Sequence, residues 1–109
     1  MKPVAVIIAI LAIVFVTTPM FAAGNAAAGK EIFSKKCSSC HGAAGEAKEA
    51  VAKLLKVEMR HLGSKETQAK TDADLKKVIT DGVGKMKPVT GIDAKGADDV
   101  VAYLRTLKN

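Results

Sequence analysis

Cys37-Ser38-Ser39-Cys40-His41 gathers both cysteines of the chain and one of its two histidines into five residues. Random placement of two cysteines and two histidines in 109 residues gives this pattern in roughly 1 of 3,000 arrangements, so it is read as chemistry rather than accident. Two residues between the cysteines bring both sulfurs near one face of a helical turn. From there they can meet the two vinyl groups on one edge of a porphyrin as thioethers. The imidazole of His41 follows directly and can reach the metal as its proximal axial ligand. C-x-x-C-H is the attachment signal for c-type haem.

Three other chemistries use such cysteines. A thioredoxin-type redox pair belongs in a βαβ context, and no convincing strand pattern is present. A structural zinc site usually takes four donors, and only His61 remains to join. A plain disulfide leaves His41 without a role.

A proximal histidine leaves the second axial position of an iron open, and the candidates are Met59, Met86 and His61. Met86 lies in a Gly-rich, Pro-bounded loop, Asp81-Gly-Val-Gly-Lys-Met-Lys-Pro88. Such a loop can turn a side chain inward without sacrificing a helix, and Pro88 stiffens it and brings no N–H that needs a partner. Met59 falls at the end of a predicted helix beside Arg60, where methionine usually fills space. Met86 is therefore the expected distal ligand, ahead of Met59 and His61. Thioether ligation raises the reduction potential, and a filled coordination sphere leaves oxygen or peroxide no easy site.

The elements that position these groups read as helices. Residues 26 to the first cysteine are rich in helix formers, with Ile32 and Phe33 on an apolar side. Gly29 stands four residues before Phe33, on the same face. Glycine costs ~1 kcal/mol against alanine inside a helix, so a close contact with another element is expected there. Residues 46–58 have strong helix propensity and an apolar stripe of Val51, Leu54 and Leu55. Thr71 can cap a third helix, with Asp74 at the reciprocal position of a capping box. Leu75, Val78 and Ile79 follow at helical spacing, and Gly82 is placed to stop the helix. Asp93 can cap a last helix over 94–107, whose core face is Val100, Val101, Tyr103, Leu104 and Leu107. No segment alternates at period two, so the fold class is all-α.

The N-terminus has a different character. Lys2 is followed by an unbroken apolar run over residues 4–16, then by Thr17-Thr18-Pro19 and the small residues Ala22-Ala23-Gly24. This is the layout of a secretory signal peptide, with small residues at both critical positions for cleavage after Gly24. The run spans ~20 Å as a helix, short of a ~30 Å bilayer core, although extension through Ala23 would let an uncleaved segment act as an anchor. The expected organisation is a leader at 1–24 and one small domain at 25–109. A domain of this size buries a modest core and benefits from a covalent staple. The whole chain carries a net +6, and +5 without Lys2, mostly as scattered lysines. A positive surface suits acidic partner proteins. Basic residues are not interleaved with aromatics, which argues against nucleic acid.

At this point the chain resembles a class I cytochrome c in its small bacterial form. The resemblance covers the whole of 25–109. It rests on Gly29, Phe33, Cys37, Cys40 and His41 at the family's spacing, on Gly84-Lys85-Met86-Lys87-Pro88, and on the pair Tyr103-Leu104 in the last helix. The resemblance implies about four helices wrapped around one covalently attached haem c. It also implies packing of Gly29 and Phe33 against Tyr103, and haem attachment on the outer side of a bacterial membrane. The chain departs from the pattern in lacking tryptophan, which leaves Arg60 as a candidate propionate partner. It departs again in the helical pattern near 51–62.

The functional expectation is a monomeric, periplasmic, single-haem electron carrier with His41 and Met86 as axial ligands, and not an enzyme. Two alternatives stand beside it. One is a membrane-tethered cytochrome subunit of a larger respiratory oxidoreductase. The other is a haem peroxidase or sensor that uses His61 on the distal side.

Overall fold

Asn25 opens the first helix by accepting a hydrogen bond from the Ala28 N–H on its side-chain oxygen, at 3.1 Å. The structure, a computed structural model, describes residues 12–14 and 24–109. Most of the leader expected at 1–24 lies outside the described residues. The helices are α1 (Ala26–Lys36), α2 (Ser38–His41), α3 (Glu49–Leu55), α4 (Lys65–Gln68), α5 (Asp72–Asp81) and α6 (Ala94–Thr106). Among the described residues there is no β-strand, only an isolated bridge between Val83 and Met86. No helix among them is long and apolar enough to cross a membrane. The all-α expectation holds. Six helical segments replace the expected four because α2 and α4 are single turns.

Local chemistry sets most boundaries. The Thr71 hydroxyl accepts from Asp74 N–H at 3.1 Å to start α5, and Gly82, at φ +76°, ends it. The Asp93 carboxylate accepts from Gly96 N–H at 2.7 Å to start α6. Ser64 caps α4 through Thr67 N–H. These are N-caps of the usual kind, each satisfying one of the free donors at a helix start.

The third helix differs from its sequence expectation. It runs over Glu49–Leu55 rather than 46–58. Ala47 sits at φ +70°, which breaks helix entry at 46, and Lys56 takes a left-handed conformation that ends it. Val51 and Leu55 are half-buried, but Leu54 is 81% exposed and is not part of a core stripe. Met59 consequently lies in irregular chain beyond the helix, half-buried, rather than at a helix end.

The core joins α1, α5 and α6: Phe33, Leu75, Ile79, Ala97, Val100, Val101, Tyr103 and Leu104. Gly29 lets α1 approach α6 closely. A Cβ there would lie 1.9 Å from the Asp99 carbonyl oxygen. One turn later the rings of Phe33 and Tyr103 meet at 5.2 Å, tilted by 59°, a geometry worth about 0.5–1.5 kcal/mol beyond burial. The expected contact with Tyr103 is therefore made by Phe33, while Gly29 meets the Asp99–Val100 backbone.

Candidate functional site

Where α1 ends, Cys37 leaves helical geometry at φ −118°. Its carbonyl then accepts from both Cys40 N–H at 3.2 Å and His41 N–H at 3.0 Å. The Ser38 hydroxyl donates to the Ser34 carbonyl at 2.7 Å, tying the new turn to α1. Gly42, at φ +81°, closes it. Cys37, Cys40 and His41 thus share a single turn seated on the end of α1.

Both cysteines are free and half-buried. Burial, with a smaller contribution from the neighbouring Cys40, pushes the Cys37 thiol up to about 11. A redox-active pair needs the opposite, a thiol depressed toward neutrality. Among the described residues no three His, Cys, Asp or Glu side chains converge as metal donors, so a zinc shell is not assembled around this turn.

Burial lowers the affinity of His41 for a proton, so at neutral pH its imidazole is uncharged, the form that binds a metal. Its Nδ1 is buried without a hydrogen-bond partner. A neutral imidazole adjoining two free thiols on one turn is the donor set that a c-type haem needs. The residues fit that group.

The chain after His41 holds the turn in place. The His41 carbonyl accepts from Ala47 N–H at 2.7 Å, and the Cys40 carbonyl accepts from Lys48 N–H at 3.0 Å. Glu46 organises this loop. Its Oε2 accepts from Ala44 N–H at 2.8 Å, and its carboxylate covers Gly42 so closely that a Cβ there would lie 2.4 Å from Cδ. Hydrogen bonds from its own backbone N–H and from Ala44 hold the Glu46 carboxyl below the usual range. The sequence reading placed Glu46 at a helix start. The overlooked signal was a glutamate directly after Gly42-Ala-Ala-Gly45, where free backbone N–H groups attract a carboxylate.

Met86 enters from a different element. Val83 and Met86 exchange two backbone hydrogen bonds of 2.9 Å around Gly84-Lys85, and Val89 N–H donates to the Ile79 carbonyl at 2.9 Å. Gly82 lies beneath this loop, where a Cβ would come 2.5 Å from the Met86 carbonyl oxygen. The loop is thus fixed at both ends, with Met86 half-buried.

His61 is engaged elsewhere. Its Nδ1 accepts from Gly63 N–H at 2.8 Å. A neutral imidazole accepting at Nδ1 carries its proton on Nε2, so Nε2 has no lone pair to offer a metal. His61 also lies near Glu46, beside the loop after His41. Arg60 is exposed.

The family described as cytochrome C oxidase, cbb3-type, subunit III matches residues 24–104. Among solved structures the chain is similar to KustC0563, a c-type cytochrome, with a TM-score of 0.62 and 23% identity over 74% of this chain and 98% of that one. No curated protein matches. The structural likeness bears on the fold, whereas the family match spans the α1 contact with α6, the Cys37–His41 turn and the Met86 loop together. The chain belongs to that family, and is a class I-like cytochrome c whose chemistry is haem-based electron transfer.

Proposed function

We propose that residues 25–109 form a one-electron carrier with a single haem c, attached through Cys37 and Cys40 and ligated by His41 and Met86. The observation that carries this reading is the single turn holding two free thiols beside an uncharged, half-buried imidazole. When bound, the haem supplies a one-electron iron couple. Cys37 and Cys40 would tether it and set its orientation relative to α1. His41 would give the proximal nitrogen, and its backbone bonds to the 42–48 loop would fix the ring's position. Met86 is favoured as the distal ligand because its loop is anchored on Gly82 and Ile79. His61 is disfavoured by its bond from Gly63, and Met59 lies in chain without such anchoring. A thioether donor favours the reduced state, and His41 with Met86 would leave no ligand position open to oxygen or peroxide. That arrangement suits a carrier rather than an enzyme.

Export to the periplasm with removal of residues 1–24, a monomeric state, and docking to acidic redox partners through the lysine-rich surface complete this reading. A second reading keeps the same chemistry in a membrane-tethered subunit of a larger respiratory oxidoreductase. The oxidase-subunit description of the matching family favours it. N-terminal sequencing of the exported protein separates the two, since a start at Asn25 supports the free carrier and a start at Met1 the tethered subunit. The haem assignment is tested by spectra of Met86→Ala beside Met59→Ala. Loss of the iron–thioether absorption band in the first alone supports Met86. Rapid carbon monoxide binding by the reduced wild-type protein argues for an open site and against a carrier.

A further inference from the structure

Asp99 is a charged residue in an apolar setting. It lies on α6 among Ala97, Val100 and Val101 and is only 4% exposed. Its Oδ1 accepts from the backbone nitrogen of Asn25 at 2.7 Å, a contact spanning 74 positions of sequence. Its remaining partner is Lys95 Nζ, at 3.1 Å and 3.4 Å, from a side chain that is itself mostly in solvent. The neighbouring Asp98 is paired separately with Lys76 at 3.0 Å. The Asn25 N–H and then the Lys95 ammonium outweigh burial and hold the Asp99 carboxyl below its usual range, so the group at the start of α1 is an anion.

Asn25 is also the residue that follows the expected leader. Hydrolysis of the Gly24–Asn25 bond gives its hydroxyl to the Gly24 carbonyl and a proton to the Asn25 nitrogen. The nitrogen that Asp99 already contacts then becomes the α-ammonium of the mature chain. That ammonium sits at the N-cap of α1, next to the positive end of the helix dipole, where a cation is disfavoured without a nearby anion. Asp99 supplies the anion, and the ammonium supplies the full charge that the amide lacks. The peptide at Gly24 lies hard against α6, with a Cβ only 2.2 Å from the Asp98 carbonyl oxygen.

We propose that Asp99 is the receptor for the α-ammonium group made by leader removal, forming an ion pair between the start of α1 and α6 that exists only in the processed chain. The inference rests on cleavage after Gly24. It makes processing a step that strengthens the contact between the two helices.

The test uses the exported, haem-loaded protein. Wild type, Asp99→Asn, and a variant with one glycine inserted between Gly24 and Asn25 are treated at pH 7 with a limiting acetylating ester. Labelling of the α-amine is followed on the N-terminal peptide by mass spectrometry, with lysine side chains as the internal reference. The wild-type amine should label about tenfold more slowly than in either variant, since an amine held as an ammonium by a carboxylate is a poor nucleophile. Should Asp99→Asn fail to fold, the insertion variant decides, because it moves the amine while leaving Asp99 intact. A mature start at Asn25 with equal labelling in wild type and variants overturns the ion pair but leaves the processing site standing. A start elsewhere overturns the processing reading, and the inference with it.

Discussion

A single methyl group at position 29 sets two effects of opposite sign against each other. Gly29→Ala should stabilise α1 by ~1 kcal/mol if helix propensity alone mattered. The structure argues otherwise. The added Cβ would lie 1.9 Å from the Asp99 carbonyl oxygen, 2.4 Å from its carbon and 2.9 Å from Val100 N. Ordinary contact begins near 3.4 Å, so α1 must retreat by about 1.5 Å, and the obstruction is helix backbone, which does not swing aside. Phe33 follows one turn later, 1% exposed and packed on Tyr103, so that retreat opens the best-packed part of the core. Overpacking of this kind costs ~1–3 kcal/mol and more against rigid neighbours. At the upper end, less the propensity gain, the net loss is about 2 kcal/mol. A domain of this size loses roughly 4–8 °C of Tm per kcal/mol, which puts the drop near 10 °C. Thermal unfolding of the haem-loaded protein, followed by far-UV circular dichroism, measures it. Ala27→Gly, on the exposed side of α1, is the control and should cost only the propensity term, ~1 kcal/mol. A Gly29→Ala protein that melts at or above wild type would refute the claim that backbone contact fixes the α1–α6 crossing.

Gly82→Ala should disturb the Met86 loop without touching Met86. It adds a Cβ 2.5 Å from the Met86 carbonyl oxygen at a residue with φ +76°, and the iron–thioether band should weaken in the absorption spectrum; an unchanged band defeats the anchoring argument. Glu46 is expected to make the protein acid-sensitive. Its folded carboxyl titrates below the ordinary 4.5, so its contribution is fully present above that value and is lost as pH falls through the lower folded one. The gap in Tm between wild type and Glu46→Gln should therefore narrow on going from pH 7 to pH 3, and curves that stay parallel argue against it. Leu54→Ser should shift stability by no more than about 0.5 kcal/mol in denaturant unfolding, because Leu54 is 81% exposed; a loss typical of a core leucine would mean that this face is covered.

Features written in contiguous residues were legible in the sequence. The caps at Thr71 and Asp93, the stop at Gly82 and the core face of α6 all sit where the pattern placed them. Each depends on one side chain and the backbone a few residues away. The close approach at Gly29 was legible as well, since a glycine in mid-helix needs a reason. What stayed hidden depends on distant partners. Periodicity announced an apolar stripe in α3 but could not say that nothing covers Leu54. The left-handed backbone at Ala47 and Lys56 shortens α3, and neither residue type signals such a conformation. Asp99 reads as one more charge on an amphipathic helix until the fold brings Asn25 against it. His61 looked available as a ligand until Gly63 was seen donating to its Nδ1.

The fold divides its work along α6. One side of α6 buries apolar groups from α1 and α5, and the core lies entirely there, with no buried hydrophobic side chain contributed by residues 34–74. The segment running from the Cys37–His41 turn to α5 is fastened to the end of α6 by polar bonds and close backbone approach instead. The Gln68 amide donates to the carbonyls of Leu62 and Leu104, each at 2.9 Å. The Arg105 guanidinium donates to the carbonyls of Gln68 at 2.9 Å and Lys70 at 2.7 Å, and to Asp72 Oδ1, satisfying acceptors left open after α4. Gly63 lies so close to Leu107 that a Cβ would fall 1.9 Å from its carbonyl oxygen. The exposed Arg105–Asp72 pair adds little by itself. The carbonyl bonds matter more, because they are directional and fix the path of chain that has few buried contacts of its own. Val51, Leu55, Val57, Met59 and Leu62 remain half-buried along that path. Of these, Leu62 packs against the core itself, and Cys37 does so from the turn bearing Cys37, Cys40 and His41, which is therefore positioned directly by the α1–α5–α6 core through α1.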